Sequence, residues 1–250
     1  MKKIFLATIF TFAVFISGAN AQTPTLTPPI KVPILVYHSV RPYYPGITKL
    51  VKEFTVPPDI FNEQLKYLRD NGFTPITPDD LTNYLISGKS LPLKPFMINL
   101  DDGWQNQFRY AFPILKKYNY PAVFYIYSDV IDKKVFMTWD EIKIMTNSKM
   151  IIGGHTKSHP ELPKITDDAV LRQEIIDSKK IIEAKIGRTV NDFAYPFGAY
   201  NDRSVDLVTQ TYKSARGVQG CAQQSKERLF TLCGIIVTGD FNRFVALINK

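Results

Sequence analysis

The chain has 250 residues, of which 45% are apolar and 22% charged, with a formal net charge of +8 that falls to +6 without Lys2 and Lys3. This length suits one large domain. The basic residues are scattered, so a nucleic-acid partner is not expected, although weak attraction to anionic polymers is. Apart from the N-terminus, no segment is apolar enough to span a membrane.

Lys2 and Lys3, the apolar run Ile4 to Ile16 and the small-x-small sequence Ala19-Asn20-Ala21 read as a signal peptide over residues 1–21. The run is shorter than the roughly 20 residues a spanning helix needs, so cleavage is expected rather than an anchor. Export to the periplasm or the exterior follows. Residues 22–31 (QTPTLTPPIK) read as an extended Pro/Thr-rich leader, and 32–250 as one domain. Val32 to Tyr37 reads as a buried strand and Asp59 to Asn71 as a helix burying Phe61, Leu65 and Leu68. Thr77-Pro78-Asp79-Asp80 starts a second helix that Gly88 stops. Phe96 to Leu100 is a strand, Trp104 to Tyr118 a helix, and Ala122 to Tyr127 a strand. Thr138 to Glu141 is a capping box opening a further helix. Met150 to Gly153 is a strand, Asp167 to Ile186 the longest helix, and Val190 to Ala194 another strand. This alternation argues for an α/β fold with a parallel sheet and outer helices. The pattern alone leaves open whether the sheet closes into a barrel or stays doubly wound.

Polar clusters follow the strand ends, where barrels place their chemistry. The chain has three histidines. His155 and His159 stand four apart in a loop between Gly153-Gly154 and Pro160. Asp101-Asp102-Gly103 follows a strand; adjacent acids there either cap the next helix or serve as a metal ligand and a base. Two imidazoles and one carboxylate make a three-ligand site for a divalent ion. Zinc is expected, and cobalt or nickel would also suit these donors. His38, after the first strand, reads alone as an ordinary packed histidine or as a general acid. Tyr195, Pro196 and Phe197 form either a plain turn or a groove wall. Trp104 and Trp139 are further aromatics that could contact a sugar or fill the core. Cys221 and Cys233 can pair in an oxidising compartment, with two buried free thiols as the alternative.

Together, Asn99-Leu100-Asp101-Asp102-Gly103 and His155-Thr156-Lys157-Ser158-His159 resemble the motifs of polysaccharide deacetylases of carbohydrate esterase family 4, the NodB-homology type. The resemblance extends from about Val32 to Phe241 and implies a distorted (β/α)7-type barrel in a single catalytic domain. It implies that Asp102, His155 and His159 bind the metal and that Asp101 is the base. Two features depart from many members. Ala194 stands where an arginine orients the base, and no histidine follows His159 to act as the acid. Both departures resemble the exported poly-N-acetylglucosamine deacetylase branch, whose N-terminal Tyr-His motif is matched by Tyr37-His38. That resemblance assigns the acid to His38. The implied activity is removal of N-acetyl groups from an amino-sugar glycan, such as poly-N-acetylglucosamine or a peptidoglycan-like polymer, with release of acetate. A glycan-binding protein on the same scaffold is the alternative. A glycosidase is disfavoured because adjacent acids are poorly placed to flank one bond.

Overall fold

The structure, a computed structural model, describes residues 27–219 and 223–249. The signal peptide, the start of the leader and Cys221 lie outside them. Cys233 is buried.

Ten strands and nine helices are found among the described residues. They run β1 (Ile34–Tyr37), β2 (Ser39–Val40), α1 (Lys49–Glu53), β3 (Thr55–Val56), α2 (Pro58–Asp70), β4 (Thr74–Pro75), α3 (Pro78–Ser87) and β5 (Pro95–Asp101). Then come α4 (Phe112–Tyr118), β6 (Ala122–Ile126), α5 (Trp139–Thr146), β7 (Met150–Gly154), α6 (Asp168–Arg172) and α7 (Ser178–Ile186). The chain ends with β8 (Asp192–Ala194), α8 (Asp202–Thr209), β9 (Ser214–Gly217), β10 (Leu232–Ile236) and α9 (Phe241–Ile248). Strands β1, β10, β9, β8, β7, β6 and β5 pair in that order, and β1 also pairs with β5, so seven strands close into a barrel. All these pairings are parallel, as helical crossovers require. The seam is uneven: β6 and β7 share five register pairs, whereas β7 meets β8 only at Gly154 and Phe193. β4 adds to the start of β5, and β2 with β3 forms a separate short ribbon.

Local sequence explains the helix ends. Thr77 and Asp80 form a reciprocal capping box on α3, and Thr138 and Glu141 do the same on α5. Gly88 closes α3 in the left-handed conformation. On α2, Phe61, Leu65 and Leu68 are buried as their spacing predicts. The leader is tied down where it is described: Ile30 bridges Gln224, and the Tyr84 hydroxyl donates to the Pro28 carbonyl.

Two expected helices differ in detail. The 104–118 stretch begins with a wide π turn, Gln107–Ala111, and the 167–186 helix contains another, Gln173–Asp177. Each turn includes a polar residue that reaches a strand-end loop. Gln107 donates to the carbonyls of Asp101 and His38. Glu174 accepts from the backbone N–H groups of Lys157 and Ser158. One extra residue per turn redirects a side chain without ending the helix. Histidine 38, Asp101, His155 and Tyr195 stand at the C-terminal ends of β1, β5, β7 and β8, so they gather at one end of the barrel.

Candidate functional site

β5 brings Asp101 to the barrel end, and Asp102 and Gly103 then turn the chain with φ of 77° and 75°. A positive φ is strained for Asp and unstrained for Gly, so the pair fixes the turn with a carboxylate at its apex. On β7, Gly153 lets the Tyr125 ring pack closely; a Cβ there would lie 2.4 Å from ring carbons. The strand can therefore pass over Tyr125 and deliver His155.

One donor atom each from Asp102, His155 and His159 lies within 4.8 Å of the others, the one such group among the described residues. The imidazole Nε2 atoms of His155 and His159 stand 3.6 and 3.4 Å from Asp102 Oδ1. His155 Nδ1 is 2.6 Å from the Ala194 carbonyl oxygen, so a proton on Nδ1 leaves the Nε2 lone pair facing the triad. The Trp104 indole donates to Asp102 Oδ2 at 3.0 Å, which leaves Oδ1 toward the histidines. His159 has φ of 64°, and its N–H donates to Thr156 Oγ1 at 2.9 Å. Burial pushes the Asp102 carboxyl upward, but hydrogen bonds from His155 and His159 outweigh this and hold it well below the usual carboxylate range. Two imidazoles and an ionised carboxylate, with His155 and Asp102 braced through their other polar atoms and His159 held through its backbone, fit a divalent ion.

Asp101 is buried beside this group. Arg216 on β9, also buried, donates through Nη2 to Asp101 Oδ1. The guanidinium lies over the Tyr125 ring at 4.7 Å. With the Asn99 amide oxygen turned toward it, Arg216 Nε donates at 2.9 Å. His38 packs edge-on against Phe54 and has a buried Nδ1 without a partner. Burial lowers its basicity, while Asp101 and Asp102 act in the opposite sense.

His38, Asp101, Asp102, His155 and His159 line a cavity of about 610 Å³ that also has Trp104, Tyr195 and Phe197 in its wall. Phe197 is 64% exposed, with its ring 4.7 Å from that of His159. Buried polar atoms without partners among the described residues include His38 Nδ1, Arg41 Nε, Tyr195 Oη, Arg216 Nη1 and Gln107 Oε1. Of these residues, His38, Arg41 and Tyr195 line the cavity, so their polar atoms are placed to meet a ligand there.

Residues 88–213 match the family model described as polysaccharide deacetylase. The chain belongs to the polysaccharide deacetylase family. It is 30% identical over 183 residues to the Bacillus subtilis (strain 168) protein YxkH, covering 73% of this chain and 62% of YxkH, less than two thirds of that relative's length. It is 26% identical over 195 residues to the poly-beta-1,6-N-acetyl-D-glucosamine N-deacetylase of Staphylococcus aureus (strain MRSA252), covering 70% and 67%. The Streptococcus pyogenes deacetylase PplD, solved in complex with acetate, superposes with a TM-score of 0.81 at 25% identity over 89% of this chain and 100% of PplD.

The matched stretch contains both metal-type motifs but begins after His38. The structure brings together His38, Asp101, Asp102, His155, His159, Trp104, Tyr195 and Phe197. Pro196 is buried in the turn behind Phe197. Trp139 is not in the cavity wall; it opens α5, is buried in the core, and its N–H donates to Asp132. Two residues were not foreseen, Arg216 and Gln107. Arg216 lies on another strand from Ala194, yet it pairs with Asp101. The one sequence signal for it was a lone arginine among small residues in Ser214-Ala215-Arg216-Gly217.

Proposed function

We propose that this protein hydrolyses N-acetyl groups on an amino-sugar glycan and releases acetate, using a divalent ion held by Asp102, His155 and His159. The observation that supports this most is the three-ligand group facing one cavity together with Asp101, which Arg216 holds from behind. The names of the relatives support an N-acetylglucosamine polymer, and acetate bound to PplD supports the product. When bound, the ion, zinc in this reading, supplies Lewis acidity toward the acetyl carbonyl and water.

The chain's own residues do the rest. Asp101 takes a proton from the attacking water. Arg216 holds Asp101 in one rotamer and offsets its charge, as an orienting partner should. His38 gives a proton to the departing sugar nitrogen, which an amide requires because its leaving amine is poor. The backbone at Phe197 faces the developing oxyanion, and Tyr195, Phe197 and Trp104 exclude water and present rings to sugar faces. Export is part of this reading, since Lys2, Lys3 and the apolar run that follows them form a secretion signal. No helix among the described residues is long and apolar enough to cross a membrane.

The test is acetate release from N-acetylglucosamine oligomers by metal-loaded protein. Turnover should vanish on chelation and return with zinc or cobalt. His155→Ala should lose both bound metal and turnover. Glycan binding without acetate release under all metals would favour the binding-protein alternative.

A further inference from the structure

The cavity wall contains one cation that the mechanism above does not use. Arg41 follows the β2–β3 ribbon, and its N–H donates to the Val56 carbonyl at 3.2 Å, so it sits on a fixed element. Its side chain lines the cavity together with Asp101, His155 and Tyr44. The guanidinium lies over the Tyr44 ring at 4.7 Å, which presents its edge donors in one plane. Its Nε is buried without a hydrogen-bond partner.

No protein acid answers this charge. None of the ion pairs among the described residues includes Arg41. The two acids in the cavity wall are Asp101 and Asp102, and both are engaged, with Arg216 and with the two histidines. A divalent ion would add further positive charge to the same space. A buried, unpaired guanidinium N–H is costly unless a ligand satisfies it. The planar fork that remains matches a carboxylate or a phosphate.

We infer that Arg41, backed by Tyr44, forms a subsite for an anionic group on the glycan, a carboxylate or phosphate close to the acetamido unit being hydrolysed. This rests on the deacetylase reading and narrows its substrate class to acidic N-acetylated glycans. A neutral N-acetylglucosamine polymer offers Arg41 only uncharged hydroxyl and carbonyl acceptors, which leave its charge unanswered, and a partly deacetylated one brings positive charge toward it.

The experiment uses full-length Asp101→Asn protein, with zinc bound, so that ligands bind without turnover. Three tetrasaccharides are compared by calorimetry: an N-acetylglucosamine tetramer, the same tetramer with one 6-phosphate, and a tetramer alternating N-acetylglucosamine with N-acetylmuramic acid. At least one acidic tetramer should bind about 10-fold or more tighter than the neutral one, as a charge-assisted hydrogen bond to a partly buried cation allows. Which of the two does so separates phosphate from carboxylate. Adding Arg41→Gln should reduce that advantage to about twofold, and Arg41→Lys should keep part of it, since a point charge remains without the fork. Matching thermal melts establish that both variants fold. Equal affinity for neutral and acidic tetramers, or an equal loss on both in Arg41→Gln, overturns the subsite. Acetate release by the metal-loaded wild type is scored separately on all three. Release from every tetramer at equal efficiency keeps the deacetylase reading and removes the subsite. Arg41-dependent binding without release from any tetramer does the reverse.

Discussion

Two carboxylates are carried into the barrel on strands, and their surroundings differ. Asp101 ends β5 at the C-terminal face, and Asp192 begins β8 at the opposite end. They are equally hidden, at 3% and 4% exposure. Asp101 has Arg216 on one carboxylate oxygen, the Gln107 amide on its main-chain carbonyl and an open cavity beside it. Asp192 has the Ser214 hydroxyl at 2.7 Å and no cation within ion-pair distance among the described residues. Burial pushes its carboxyl up to about 6, against the smaller opposing effect of Ser214. The difference teaches that depth alone does not make a base. A counter-charge and access to the reacting atoms do.

The strongest way to break this comparison is to neutralise both acids in turn. Asp101→Asn should lower acetate release by about 10²- to 10⁴-fold, the range of a lost general base, while metal content stays stoichiometric. Asp192→Asn should leave release within about threefold, as expected for a group that takes no part in proton transfer. Comparable losses in the two variants would remove the distinction between the barrel ends. The proposed acid is tested next. His38→Ala should cost about 10²- to 10³-fold on an acetamide and much less on an activated aryl acetate, whose leaving group needs no proton. Equal losses on both substrates would make His38 a structural residue.

Much of the C-terminal face was legible because it is written in scarce residue types. Three histidines and an Asp-Asp pair, each directly after an apolar run, leave few ways to build a site. The helix caps were legible because Thr77 with Asp80, and Thr138 with Glu141, act over three residues. Arg216 was not, since it meets Asp101 across 115 positions and only when the barrel closes. The π turns were missed because one extra residue per turn leaves the apolar pattern almost unchanged. Trp139 was read as a possible sugar contact because an aromatic at a cap can point either way, and here it packs into the core beneath α5. Ala194, standing where many family members have an arginine, places no partner for Asp101 on β8. No local rule said where one would come from.

The Asp101–Arg216 pair sharpens the comparison on the stability side. Removing one member of a buried ion pair leaves the other unpaired, so Arg216→Gln should destabilise folding by about 3–5 kcal/mol in urea melts. The double variant Asp101→Asn/Arg216→Gln should recover a measurable part of that loss, because neither charge is then stranded. Additive losses would mean that Arg216 matters through packing on Tyr125 rather than through Asp101.

The smallest effect concerns Asp192, and its sign is opposite to that of a paired acid. The folded carboxyl holds its proton up to about pH 6, whereas the ordinary value is 3.8. Between those limits the folded state binds more protons than the unfolded state, so stability falls as pH rises through this window. Two pH units correspond to roughly 3 kcal/mol at most. Asp192→Asn keeps an oxygen for the Ser214 hydroxyl and removes the charge. It should therefore flatten the decline in unfolding free energy between pH 4 and pH 7 and leave the variant more stable than wild type at pH 7. A variant that is less stable at pH 7, or that keeps the full decline, would mean that the Asp192 carboxylate is already satisfied in its ionised form. The contrast with Asp101 would then rest on access to the cavity alone.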